Sequence, residues 1–581
     1  MSLVQVCGIC LLGTFSLALC KVLTSLLRRP HGIDLDGPDK GNWLIGNITN
    51  LFDGGVDYCV DIAEKYGGAV RLYGPDGETI YVSDPLALYH ITIKDQHIFE
   101  ELDIFTVSNK VVFGEGLIST VGEQHRRQRK LLNPFFSTSN MRRLLTTVRP
   151  IADRLASTIV AGLPTDGSNN EVDVLPLLSR CAFDGVWQGI LGYSPDTLST
   201  AENDAHAEVM LNISPLIAKL MLLREFVVIV MRYCSPYWAR KVLDFVTVPW
   251  LPTQFMKDAR ELRRIVETMD IGSRKALAKK QAAFDAENTM DPADAICGGG
   301  DKKPSGQVRD IMDIMLKARS ESSPADAGWL TDAELLGQMN VMVFAGLDTT
   351  TSALTRCVSS LCARGTPHRA TKATTLPFHF PAHSRSGGFT SSVVLPKGTC
   401  TIISILAANH HRGMWGDDAN EWRPERWLSS SLATLPSLEV DVPFSEEDAA
   451  SVAKPSTSVP GVKNGIRFPG VYSNMMTFLG GGRSCIGFKF AEMEISTYTF
   501  RALLTISTDA STSTTEQVIA SLLLRLHFAL PTEPDAQGHV KEIQWKLGGS
   551  HIPVVKPPAG DDVTPQVPLS VRLVREEDFV W

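Results

Sequence analysis

The chain has 581 residues, 44% hydrophobic and 21% charged, with a formal net charge of -8. That length and apolar content allow a sizeable buried core, and an acidic balance without an extended basic run leaves nucleic acid out of the expected partners. Eleven cysteines at irregular spacing exclude a disulfide framework and point to a reducing, cytosol-facing environment.

From Ser2 to Cys20 there is no charge, and after Lys21 the apolar run resumes as far as Arg28-Arg29-Pro30. A stretch of this length just spans a bilayer. The positive charges follow the apolar run and no basic segment precedes it, which favours a retained single-pass anchor over residues 1–29 rather than a cleaved signal, with the body on the cytoplasmic side. Cys7 and Cys10 form a C-x-x-C inside that segment and read as membrane residues rather than a redox or zinc motif.

Residues 68–83 alternate as short strands around Gly74-Pro75-Asp76-Gly77, and Asp84-Pro85 opens a helix. From about 120 to 360 long helical periods dominate, and strand signals are largely absent until Ser391–Ala408. The expected fold is mainly α with a minor β region. Within it, Gly122–Ser137 carries His125 and Arg129 four apart and so on one helix face; by residue type alone that run reads as a solvated basic face. Residues 206–251 are unusually apolar and read as helical core. Asp285–Gln307, polar and rich in glycine, reads as an exposed linker.

A long apolar helix is expected from a cap-like start at Thr331. Its interior run Ala345-Gly346-Leu347-Asp348-Thr349-Thr350 puts glycine, aspartate and two β-branched threonines in one turn, against normal helix preference. Such a breach invites a functional reading: a groove at Gly346 with room for dioxygen, and Asp348 and Thr349 as proton carriers. A kinked core helix is the plain alternative. Further on, Phe478-Leu-Gly-Gly481-Gly-Arg483-Ser-Cys485-Ile-Gly487 fits F-x-x-G-x-R-x-C-x-G, just before an apparent helix at Phe488. Glycines let the backbone approach a flat ligand, and a helix N-terminus after Cys485 favours its thiolate. An iron-bound cysteine is the natural use, with Arg483 directed at a carboxylate such as a heme propionate.

The cysteine run closely resembles the ligand signature of the cytochrome P-450 heme-thiolate monooxygenases, and the chain looks like a microsomal, fungal-like member. The run Ala345–Thr350 matches that family's oxygen-activation motif, (A/G)-G-x-(D/E)-T-(T/S). The resemblance implies a P-450 heme domain over 30–581 behind the anchor, with irregular or inserted segments at 285–307, 361–388, 429–463 and 505–515. It implies heme b with Cys485 as axial ligand, bounded by Phe478, Gly481, Arg483, Gly487, Ala345 and Gly346. His125 and Arg129 then contact a propionate, and Arg385 is a further candidate for that role. The region 206–251 corresponds to the family's membrane-touching lid, and Asp36–Asn47 to the hinge after the anchor. No dinucleotide fingerprint is evident, so electrons are expected from NADPH through the cytochrome P-450 reductase, at the endoplasmic reticulum membrane. The expected reaction is insertion of one atom of O2 into a lipophilic substrate, in a setting such as secondary metabolism.

The resemblance breaks in one place. Gly413–Trp427 is similar to the family's meander, where Arg426 completes a triad with an upstream E-x-x-R, yet the 68 residues from Thr349 to Gly416 contain neither Asp nor Glu. Two accounts stand: a pairing helix has been lost, leaving a non-catalytic relic, or an intron boundary misplaced near Arg364 has altered the translation. A thiolate-heme isomerase that needs no reductase is a further alternative, against which the Asp348-Thr349 pair argues.

Overall fold

The computed structural model describes residues 32–194, 213–234, 254–289, 310–323, 329–357, 367–421, 467–499 and 526–573, apart from short stretches at 42–45, 48–49, 52–54, 75–76, 165–167, 169, 473, 532, 535–536, 548–550 and 562–563. In chain order come α1 (Gly55–Tyr66), β1 (Ala69–Gly74), β2 (Gly77–Val82), α2 (Pro85–Tyr89), β3 (Phe99–Glu101), α3 (Asp103–Phe113), α4 (Gly122–Leu132) and α5 (Thr138–Ala161). Next are β4 (Asn170–Asp173), α6 (Leu175–Gly185), α7 (Ile213–Lys219), α8 (Met221–Tyr233), α9 (Gln254–Thr289), α10 (Ile311–Ser320) and α11 (Asp332–Cys357). The last part holds β5 (Pro367–Ala370), β6 (Thr374–His383), β7 (Phe389–Leu395), β8 (Cys400–Ile403), α12 (Ile405–Asn409), α13 (Arg412–Trp415), α14 (Phe488–Thr499), β9 (Leu526–Ala529), β10 (Ile543–Leu547), β11 (His551–Val555) and β12 (Pro568–Leu573). Helices dominate and the sheets are small, as the sequence pattern predicts.

The contacts divide the chain into two units. The first, 1–105 with 222–246 and 362–488, contains a five-stranded sheet in the order β1-β2-β8-β5-β3, with β2 and β8 parallel, and the hairpin β6-β7. Asp84 shows how local sequence builds it. The Asp84 carboxylate caps α2 by accepting from the amides of Leu86 and Ala87, and Pro85 supplies the fixed φ of a first helical position. The same carboxylate accepts from the amides of His379 and Phe380, so one fully buried charge fastens α2 to β6.

The second unit, 106–221 with 247–361 and 489–581, contains most of the long helices and the three-stranded sheet β4-β12-β9. Its core includes Val148, Ile151, Leu155, Ala182, Phe183 and Met339, all buried on α5, α6 and α11. Apolar residues three and four apart bring these helices together.

Several placements differ from the sequence pattern. The segment 361–388 carries β5 and β6 from Pro367 onward, and Ile405–Asn409 is helical, capped by Ser404 through the amide of Ala407. Prolines hid β6, since Pro377 and Pro381 argue against a paired strand; the register shift between Pro377 and Ala382 accommodates them. Strand β4 has no apolar alternation and exists because β12, distant in sequence, pairs with it. Helix α9 runs to Thr289, into the expected linker. The expected anchor 1–29, residues 422–466 with Arg426, and 505–515 lie outside the described residues, as does part of 206–251. Among the described residues no helix is long and apolar enough to cross a membrane.

Candidate active site

Each of the two units carries one of the strong motifs. In the first unit the cysteine loop is held mainly by its backbone. Leu479 has a positive φ of 56°, a region costly for a branched side chain, and Gly481 follows at 68°. Hydrogen bonds fix this course: Leu479 N–H donates to Met476 O at 2.9 Å, and Leu479 O accepts from Val471 N–H at 2.9 Å. Ser484 N–H then reaches Gly481 O at 3.1 Å, and Cys485 N–H reaches Phe478 O at 2.9 Å. A Cβ on Gly480 would stand 1.9 Å from Pro469 O and one on Gly481 1.9 Å from Thr92 O, so any side chain there would push backbone apart. Phe478 anchors the start of the loop, its ring edge-on to Tyr472 and tilted against Phe488.

Cys485 emerges from this frame exposed, three residues before α14, with Gly487 between them. Arg483 is largely buried, and its Nη2 lies 3.3 Å from Glu101 Oε2. Burial pushes the Arg483 guanidinium down and the Glu101 carboxyl up, and the attraction between them opposes both shifts. Gly482 N–H donates to Gln96 Oε1 at 3.2 Å. The residue expected to meet a cofactor carboxylate thus already has a protein carboxylate beside it. Arg385, by contrast, is exposed in the turn joining β6 to β7, a watery position that gives its proposed propionate contact no support.

In the second unit the frame is made of side chains. Thr331 and Glu334 form a reciprocal capping box: Glu334 N–H donates to Thr331 Oγ1 and Thr331 N–H to Glu334 Oε2, each at 3.1 Å. Glu334 is buried, and its other oxygen accepts from Gln124 Nε2 at 3.1 Å, Gln128 Nε2 at 3.2 Å and Arg127 Nη2. Burial pushes this carboxyl up, but the bonds from Gln124, Thr331 and Gln128 and the charge of Arg127 outweigh it and hold it below the usual range. These contacts clamp α4 to the start of α11. The basic run of α4 therefore divides: Arg126 pairs with Glu123 in solvent, Arg127 with Glu334, and His125 and Arg129 are buried. The solvated-face reading does not hold for those last two.

Helix α11 is continuous through its unusual turn. Asp348 is buried at 7% exposure, while Thr349 is exposed, its hydroxyl donating to Ala345 O at 2.6 Å. The side of Gly346 where a Cβ would stand is filled by Val186 Cγ2 at 2.3 Å, so that glycine serves close packing against the turn after α6, and the groove expected there is not on that side. Two contacts were invisible in the sequence. Thr350 Oγ1 donates to Glu494 Oε2 at 3.0 Å, and complete burial pushes the Glu494 carboxyl up to about 8, against the opposing effect of that bond. Gly337 lies so close to 115–116 that a Cβ on it would be 2.6 Å from the amide nitrogens of Glu115 and Gly116. The repeated small and polar residues of α11 were the one available signal.

This donor set fits a heme-thiolate centre. An exposed thiol on a loop of this kind suits a group that asks one ligand of the protein and brings the others itself. The glycine backbone and Arg483 supply a flat approach and a cation beside it.

Comparison with known proteins agrees. The cytochrome P450 family model matches residues 36–364 and 388–534, and the chain belongs to that family. The break between these matches falls on the stretch that carries β5 and β6. Cytochrome P450 monooxygenases 219 and 91 of Postia placenta are 30% and 29% identical, each over 93% of this chain and 94% of the relative. The ganoderic acid synthetase of Ganoderma lucidum is 30% identical over 77% of this chain and 81% of its own. The family implies heme with a cysteine thiolate ligand.

Proposed function

We propose that this cytochrome P450 inserts one oxygen atom from O2 into a lipophilic organic substrate of fungal secondary metabolism. The observation that carries this reading is the exposed Cys485 on a backbone-locked loop, in a chain that also carries the Asp348-Thr349 turn. A relative named as a ganoderic acid synthetase supports the metabolic setting. The proposed arrangement includes a membrane anchor at 1–29, a cytoplasmic heme domain at 30–581, location at the endoplasmic reticulum, and electrons from NADPH through the reductase.

Bound heme would supply the iron at which O2 is reduced and one oxygen atom passes to carbon. Cys485 gives its sulfur as ligand, and Phe478, Gly481 and Gly487 shape the backbone that presents it. Arg483 offers positive charge to a heme carboxylate, and His125 and Arg129 of α4 are the other residues we assign to that role. In the second unit, Thr349 uses its proton toward Ala345 O, so its hydroxyl lone pairs accept a hydrogen bond from outside the helix. Asp348, one residue earlier, is the acid that replaces a proton passed along that hydroxyl.

A non-catalytic relic is the second reading, supported by the absence of any carboxylate from Thr349 to Gly416. One experiment decides. Membranes carrying the full-length chain are reduced and given carbon monoxide; a thiolate-type Soret band is expected, and its absence would sink the monooxygenase reading. Product formation without reductase would favour the isomerase. Sequencing the transcript across codons 355–400 shows whether the loss of E-x-x-R is genuine.

A further inference from the structure

Glu101 is a carboxylate that the proposed chemistry does not use, placed with more constraint than a surface glutamate has. It ends β3, where pairing with His368 of β5 fixes its backbone in the five-stranded sheet. Its side chain is 14% exposed and that of Arg483 17%, and they approach to 3.3 Å. Glu100 adds a weaker attraction on the same guanidinium. Two further contacts from the same stretch meet the same loop: Gln96 Oε1 accepts from Gly482 N–H, and Thr92 O lies where a Gly481 side chain would be. The segment 92–101 therefore backs residues 481–483 at three successive positions, all within the first unit.

Removing two charges from water costs free energy that is recovered only if each keeps its partner. Arg483 is thus held by the sheet before any ligand arrives. A guanidinium has five donors in a planar fork, more than a single carboxylate can take. Resting on the heme-thiolate reading, we propose that Glu101 is a positioning residue that latches Arg483 and the cysteine loop in the heme-free protein, and in the loaded protein shares the guanidinium with a heme carboxylate and adds negative charge beside Arg483, two residues from Cys485 in the loop. Negative charge at that place disfavours addition of an electron to the iron and lowers its reduction potential.

Full-length E101Q and E101D test this in two measurements. In heme-free protein, amide hydrogen exchange across Gly480–Gly487 is expected to be several-fold faster in E101Q, intermediate in E101D, and unchanged in α4 and α11. Exchange in the loop equal to wild type overturns the latch. In heme-loaded protein, the midpoint potential of E101Q is expected to be more positive than wild type, with E101D, which keeps the charge, close to wild type. An unmoved or more negative E101Q potential overturns the tuning role, since a merely structural contact would not track charge. If E101Q does not fold, E101D exchange indistinguishable from wild type overturns the latch. A wild-type chain that takes up no heme ends the heme-thiolate reading and the tuning role with it, while the exchange measurement still decides the latch.

Discussion

The cysteine loop and helix α11 are each held in place, by opposite means. The loop does it with backbone: positive φ at Leu479 and Gly481, glycines on which a Cβ would stand 1.9 Å from a carbonyl oxygen, and short-range amide bonds. Helix α11 does it with side chains drawn from distant parts of the chain, above all the buried Glu334 and its partners on α4. Backbone control tolerates almost no added atoms but needs few particular side chains. Side-chain control tolerates changes of bulk at exposed positions yet fails when one polar partner is lost.

The largest effect should fall on the loop. Cys485→Ser is expected to abolish the thiolate-type carbon monoxide band and all turnover, read by difference spectroscopy and product assay; a surviving band would place the ligand elsewhere. On the helix, Thr349→Ala should keep the heme spectrum and lower product formation about 100-fold, the scale of a lost proton carrier. Glu334→Ala removes the acceptor of Gln124, Gln128 and Arg127 at once, and should cost about 3 kcal/mol in denaturant unfolding. Gly481→Ala should cost at least about 2 kcal/mol, combining a φ of 68° with a Cβ pressed onto Thr92 O. A neutral result there would mean that the backbone moves freely and the contrast with α11 is overdrawn.

A different kind of effect concerns Glu494. Its carboxyl is pushed to about 8 from an ordinary 4.5. Between those values the native state binds the extra proton, so stability from this group is highest below about 4.5 and declines as pH rises toward 8. Glu494→Gln should flatten that part of the stability curve, as measured by melting temperature against pH. An unchanged slope would show that other groups set it.

What was legible in the sequence follows the same division. Local features could be read: the strands either side of Gly74–Gly77, the helix opening at Asp84-Pro85, the cap-like start at Thr331 and the glycine run before Cys485. Each depends on residues within a few positions. Contacts across long separations could not be read, among them Thr350 with Glu494, Gly337 with 115–116 and Arg483 with Glu101. His125 and Arg129 show the cost: judged by residue type they belong in water, but the clamp of Gln124, Arg127 and Gln128 onto Glu334 turns their face inward. The prolines of β6 mislead for a related reason, since pairing with β7 absorbs them at an irregularity no local rule anticipates.

The clamp at Glu334 has a consequence for the order in which the enzyme is made. A capping box spans four residues and can form as soon as its helix leaves the ribosome, and Gln124, Arg127 and Gln128 have emerged by then. The acidic node and the basic helix it fixes are therefore ready during synthesis, while Cys485 is still to be translated. The cysteine loop is delivered much later, so on the heme-thiolate reading cofactor capture waits for a chain that is nearly finished.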